Sequence, residues 1–166
     1  MLSLDKIYHA SHVLRKVVRQ TNLVRAPKIN PECELYIKPE NLQVTGSFKV
    51  RGAGYMISQL TEEEKSHGVI ACSAGNHAQG VALAASKYGI KSLICLPDGA
   101  PISKVEATKS YGAEVNMVKG VYDDAYREAL VSAINGYNAN PCDDTWATVV
   151  TAFVDGWAVQ YQAAQG

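Results

Sequence analysis

From residue 68 onwards the chain alternates short, mostly apolar runs with longer stretches of helical spacing. The runs fall at 68–72, 91–96 and 114–118, and helices are predicted over 76–87, 102–110 and 122–134. Short, largely apolar strands joined by helices favour a parallel sheet covered on both faces, and so the α/β class. Three or four such strands are expected between about residues 50 and 135. Gly89 and Gly112 directly follow Tyr88 and Tyr111, where a left-handed residue can close a helix. These Tyr-Gly pairs are ordinary punctuation of successive βα units and need no internal repeat to explain them.

Upstream the pattern is less regular. Leu4, Ile7, Tyr8, Leu14, Val17 and Val18 fall near one helical face, so a surface helix is predicted over 3–19 with Ser3 as its cap. Pro27 and Pro31 keep 23–34 extended or looped. A short strand is predicted at 35–37, then a helix capped by Thr45 or Ser47 and running to about Leu60. LTEEEKSHGV reads as a linker.

Composition narrows the partners. A chain of 166 residues, 47% apolar, can build one core. Sixteen basic residues balance sixteen acidic ones without forming runs, so no net field attracts nucleic acid or an acidic membrane surface. The N-terminus is broken by Asp5, Lys6 and two histidines, and no run reaches the roughly 18 apolar residues of a membrane span. A cytoplasmic protein is expected. Cys33, Cys72, Cys95 and Cys142 are widely and unevenly spaced, against both a disulfide framework and a zinc site. Cys72 and Cys95 lie in or beside apolar runs, as small buried hydrophobes do.

Two segments have the makings of a site. In KPENLQVTGSFKVRGA (38–53), a strand and a polar loop lead into a helix whose first turn carries Ser47, Phe48 and Lys49. The dipole works against a positive charge there, a placement that favours the neutral, nucleophilic amine. A solvated surface lysine behind a glycine turn fits the same residues. In SAGNH (73–77), Ser73, Gly75, Asn76 and His77 lie between a strand end and a helix start. Successive amides there make an anion cradle suited to a carboxylate, where open α/β sheets bind ligands. A capping loop with Asn76 as cap and His77 on the surface fits equally.

TGSFKVRGA and ACSAGNHAQGVALAA, followed by LPDGAPISKVEATKSYGAEV, resemble in order and spacing the threonine and serine dehydratases. These are a branch of the tryptophan-synthase-β-like, fold type II pyridoxal-phosphate enzymes. The resemblance runs from about Leu35 to Asp144. It implies pyridoxal 5'-phosphate as cofactor and a small amino acid as substrate, and self-association is a further expectation; neither nucleic acid nor membrane is expected. It implies that Lys49 carries the cofactor covalently and later moves the proton at the substrate α-carbon. Phe48 corresponds to the aromatic residue beside the cofactor ring and Asn76 to the residue bonded to the ring hydroxyl. Ser73, Gly75, Asn76 and His77 correspond to the loop around the substrate carboxylate. The implied reaction is deamination of L-threonine to 2-oxobutanoate and ammonia, or of L-serine to pyruvate. Ala74 stands where related serine racemases resemble one another in having a serine that works on the second face of the α-carbon. A methyl group carries no proton, so elimination is favoured over racemisation.

The resemblance also implies a division of the chain. Residues 1–49 correspond to the first piece of a large domain and 50–144 to the small α/β domain, while 145–166 diverge. After PCDD the family continues into a large domain whose glycine-rich loop holds the cofactor phosphate, and TWATVVTAFVDGWAVQYQAAQG does not match it. Gly99 and Gly120 are isolated, and Gly52 and Gly54 fall in a predicted helix. A truncated chain is thus expected, weak or inactive alone. Its alternative is a catalytically silent α/β interaction domain that keeps the motif residues as ancestry.

Overall fold

The computed structural model describes residues 3–139, 151–154 and 157–160. Its centre is a three-stranded parallel sheet of β3 (Val69–Cys72), β4 (Ser92–Pro97) and β5 (Glu114–Val118), neighbours in chain order. Val69 to Cys72 pair with Ser92 to Cys95, and Leu93 to Pro97 with Glu114 to Val118. The crossovers are α4 (Asn76–Lys87) and α5 (Ile102–Ser110), and α6 (Tyr122–Ala139) follows β5. This agrees with the expected α/β class, and the antiparallel pairs lie outside the expected interval. They are β1 (Val24–Arg25) with β2 (Tyr36–Ile37), and β6 (Thr151–Val154) with β7 (Trp157–Gln160). Trp146, Val149 and Val150, apolar residues of the divergent tail, lie outside the described residues.

Both faces of the sheet are covered, for different reasons. On one, α6 sets Ala125 and Ala129 against Cys72 and Cys95. Both thiols are buried and free, and burial pushes them up, Cys95 to about 11, as expected of inert packing groups. On the other, α4 is buried continuously from His77 to Ala85. A helix buried on all sides has to be made of small apolar residues, and Ala78, Gly80, Ala82, Ala84 and Ala85 meet that requirement. The helix α2 (Lys49–Ser58) packs on α4 through Val50, Ala53 and Ile57. Gly89 and Gly112 have φ of 69° and 92°, the left-handed closures anticipated for α4 and α5.

Three expectations need correction. The first helix, α1, spans only Leu4–Val13, followed by a 3-10 turn over Leu14–Lys16. Ser3 caps it by accepting from the Lys6 amide at 3.4 Å. Of its apolar stripe, Leu14 and Val17 are buried against Gly54 of α2, whereas Leu4, Ile7 and Tyr8 stay exposed, and α1 meets α2 through the edge-to-face rings of His9 and Tyr55. The linker contains a helix, α3 (Glu62–His67). Thr61 Oγ1 accepts from the Glu64 amide at 3.2 Å while Glu64 Oε2 accepts from the Thr61 amide at 2.7 Å, a capping box. Finally, α2 ends at Ser58 and its N-cap position is Phe48. Ser47 still serves its start, its hydroxyl accepting from the Lys49 amide at 3.3 Å.

Candidate active site

Lys49 and Asn76 are the first residues of α2 and α4, the two helices that pack together. What brings those ends close is Gly80. A Cβ there would lie 3.2 Å from the Val50 Cα and amide nitrogen and 3.3 Å from the Lys49 carbonyl carbon. These are backbone atoms and cannot rotate away. Gly80→Ala is therefore expected to cost about 1–3 kcal/mol, as overpacking typically does. Urea unfolding checks it, and an unchanged midpoint would show that the helices part freely.

The loop before α4 has the anticipated shape. Ser73 follows β3 and its amide donates to the Cys95 carbonyl at 3.1 Å, prolonging the β3–β4 ladder. Its hydroxyl accepts from the Gly75 amide at 3.3 Å. Gly75 is the N-cap, and open space surrounds its Cα where a side chain would stand. First-turn amides have no partner within their own helix, so the start of α4 faces the loop with positive dipole. Ala74 packs partly against the core. Asn76 is exposed and is the first helical residue, not the cap; its Oδ1 accepts from Lys104 Nζ at 2.7 Å.

His77 departs from the surface alternative, being only 4% exposed. Burial holds its imidazole down to about 4, helped by the positive charge of Lys49. It is therefore neutral at physiological pH. Lys49 itself is half-buried and Phe48 is 62% exposed. Thus the structure sets the Lys49 backbone against Gly80, one turn of α4 beyond Asn76, keeps Ser73, Gly75, Asn76 and His77 in one loop and helix start, and leaves the Phe48 ring open.

A second group of residues, unremarked in the sequence, braces the Lys49 segment. Glu40 accepts from Arg51 Nε at 2.7 Å and from an Arg51 terminal nitrogen at 2.9 Å, and from Thr21 Oγ1 at 2.7 Å. The Arg51 guanidinium holds the Glu40 carboxyl down to about 2. Gln43 exchanges two hydrogen bonds with the Arg19 backbone, at 3.0 and 2.6 Å, and Lys38 Nζ donates to the Thr21 carbonyl. Tyr111 Oη donates to the Val44 carbonyl at 3.0 Å. The loop preceding Lys49 is thereby tied to the N-terminal segment, to α2 and to the residue that caps the end of α5. Only the proximity of Glu40 and Arg51 to Lys49 in the chain hinted at this.

An amine at the start of α2 and an amide and helix-terminal N–H groups at the start of α4 are the kinds of group that suit the ring and carboxylate ends of pyridoxal phosphate bearing an amino acid. Among the described residues, no glycine-rich loop meets the phosphate end.

The chain is 47% identical over 132 residues to the L-threonine ammonia-lyase of Thermotoga maritima, covering 78% of this chain and 33% of that protein. It spans well under half the length of the curated relatives it matches. The processed form of threonine deaminase isoform 2 from Solanum lycopersicum superposes with a TM-score of 0.71 at 33% identity, over 81% of this chain and 41% of that one. Maize serine racemase superposes with a TM-score of 0.75, also at 33% identity and over the same shares. These neighbours are fold type II enzymes, so the covered parallel sheet is part of that fold. The family description "Pyridoxal-phosphate dependent enzyme" matches residues 14–164. Sheet, paired helix starts and sequence agree that the chain belongs to the pyridoxal-phosphate dependent enzyme family.

Proposed function

We propose that the protein to which these residues belong deaminates L-threonine to 2-oxobutanoate and ammonia, with L-serine as a second substrate. The observation that carries this reading is that Lys49 and Asn76 begin α2 and α4, two helices packed so closely that Gly80 meets the backbone of Lys49 and Val50, in a chain 47% identical to an L-threonine ammonia-lyase. Pyridoxal phosphate, when bound, supplies the electron sink that makes the α-proton acidic. Lys49 holds the cofactor and moves that proton. Asn76 would hold the ring through the ring's hydroxyl group, and Phe48, exposed in the free chain, would stand beside the ring. The amides of the Ser73, Gly75, Asn76 and His77 loop bind the substrate carboxylate. His77, buried and neutral, shapes the loop without adding charge. Ala74 has no proton to give, so elimination is favoured over the racemisation named for the maize neighbour.

Within this reading, residues 50–144 are the small domain and 1–49 the first piece of the large one, with 145–166 a divergent tail. Support comes from the exposed large apolar side chains, most of which precede Lys49, among them Leu4, Ile7, Tyr8, Leu23 and Ile29. Such a surface asks for further protein to cover it. The same observation favours a second reading, a catalytically silent domain that acts by association.

The deciding assay offers L-threonine and pyridoxal phosphate to the 166-residue chain beside Lys49→Ala at equal folded fraction, and measures 2-oxobutanoate. The expected rate is small, since misplacement of the cofactor by about 1 Å already costs roughly a hundredfold, and it vanishes in the variant. A rate indifferent to the substitution removes Lys49 from the chemistry. Robust turnover that disappears with Lys49 shows that these residues build a complete site, against the expected need for more protein.

A further inference from the structure

The contact between Lys104 and Asn76 links residues on different helices, 2.7 Å apart. Lys104 lies in the first turn of α5, where the helix dipole opposes its charge, so the placement is not explained by helix stability. Its backbone is well anchored. The Lys104 carbonyl accepts from Thr108 Oγ1 at 2.8 Å, Thr108 is 1% exposed, and the adjoining Val105 is 4% exposed in the core. The chemistry of the pair then dictates an orientation. An ammonium can only donate, so the Asn76 atom facing it must be the amide oxygen; the flipped carboxamide would set NH₂ against NH₃⁺. An exposed asparagine otherwise has two nearly equivalent orientations and a free χ2. With Oδ1 engaged by a charge-assisted bond, the Nδ2 hydrogens are left to point elsewhere.

We propose that Lys104 is a positioning residue that holds the Asn76 carboxamide with its N–H donors presented to the hydroxyl oxygen on the cofactor ring. The inference rests on the reading of Asn76 given above and adds the residue that makes it a donor. Lys104 acts through Asn76 and touches neither cofactor nor substrate.

Two measurements test it. In the free chain, the side-chain amide signal of Asn76 is followed by ¹⁵N NMR, assigned by its loss in Asn76→Ala. Its two protons are expected to be well dispersed, to collapse towards the values of a free asparagine in Lys104→Met, and to remain dispersed in Lys104→Arg. The backbone spectrum reports whether each variant is folded. An Asn76 signal indifferent to Lys104→Met in a folded chain overturns the proposal.

The second measurement is borohydride trapping of pyridoxal phosphate on Lys49, quantified by mass spectrometry against the other lysines over a concentration series. Lys104→Met and Asn76→Ala are each expected to raise the half-saturating concentration by roughly five- to tenfold, the scale of one hydrogen bond. The double variant should rise no further, and Lys104→Arg should stay within about twofold of the unsubstituted chain. Effects that multiply in the double variant overturn the proposal, because Lys104 then attracts the cofactor directly. If Lys49 of the unsubstituted chain is trapped no better than other lysines, the site reading fails, and the Asn76 signal alone decides the orienting role.

Discussion

Replacing Arg51 by methionine is expected to cost the folded chain about 2–3 kcal/mol at neutral pH. Removing one partner of a buried ion pair typically costs about 3–5 kcal/mol, because the other charge is left without compensation. Here the Arg51 side chain is 34% exposed and that of Glu40 16%, so water screens part of the loss. The pair is bidentate and Thr21 also bonds Glu40, so the stranded carboxylate would sit in a pocket shaped for a cation. The pH dependence has a definite sign. Glu40 is held at about 2 when folded against 4.5 as reference, so its contribution is complete above about 4.5 and is withdrawn as pH falls towards 2. The gap between wild type and variant should therefore narrow on acidification through that window. Adding Glu40→Gln to the variant should recover part of the loss, since the uncompensated charge goes too. Urea midpoints for the three chains measure all of this. A difference under about 0.5 kcal/mol between wild type and Arg51→Met would make the pair an ordinary surface contact.

Acid should weaken the fold through His77, and by a comparable amount. Its imidazole titrates near 4 in the folded chain and near 6.5 as reference, so the unfolded chain takes up the proton first as pH falls. The stabilising contribution is thus complete above about 6.5 and is lost as pH falls towards 4. At about 1.4 kcal/mol per unit, the whole shift corresponds to about 3 kcal/mol. His77→Gln keeps a polar side chain but cannot titrate, and comparison with it cancels the other groups to first order. Stability curves that converge as pH drops from about 7 to 4 are the expected result. Parallel curves would mean that the loop opens to hydrate the protonated ring at little cost, and that His77 is not fixed in the core.

The two effects fall on the two sides of the same site. Arg51 and Glu40 brace the chain around Lys49, while His77 closes the loop that begins α4. Damage to either is expected to loosen the geometry between the amine and the amide, so stability measurements should precede any reading of activity in variants here.

Much of the fold was legible in the residues because the signals were local. The apolar runs and helical spacing located β3 to β5 and α4 to α6 to within a few residues, since period and burial are properties of a single element. Gly89 and Gly112 marked helix ends because a left-handed backbone favours glycine wherever it occurs. The helix α3 is written locally as well, in the capping box of Thr61 and Glu64, but a run of charged residues without an apolar period masks it. For the site, the motifs named Lys49 and Asn76, but only through resemblance; a first-turn lysine and a capping loop alone admit bland explanations.

What the tertiary structure decided are relations between elements distant in the chain. Whether His77 faces solvent or core depends on how α4 is enclosed, which no periodicity within α4 reveals when nearly every residue there is small. That Leu4, Ile7 and Tyr8 remain exposed, despite an apolar stripe, depends on which neighbours reach α1. Gly80 matters because another helix's backbone passes at 3.2 Å, and Lys104 matters because its ammonium meets an amide 28 residues away. The physical reason is the same throughout. Local sequence sets the conformational preferences of a segment, whereas the environment of a side chain is created when segments pack and water leaves, and that is determined by all of them together.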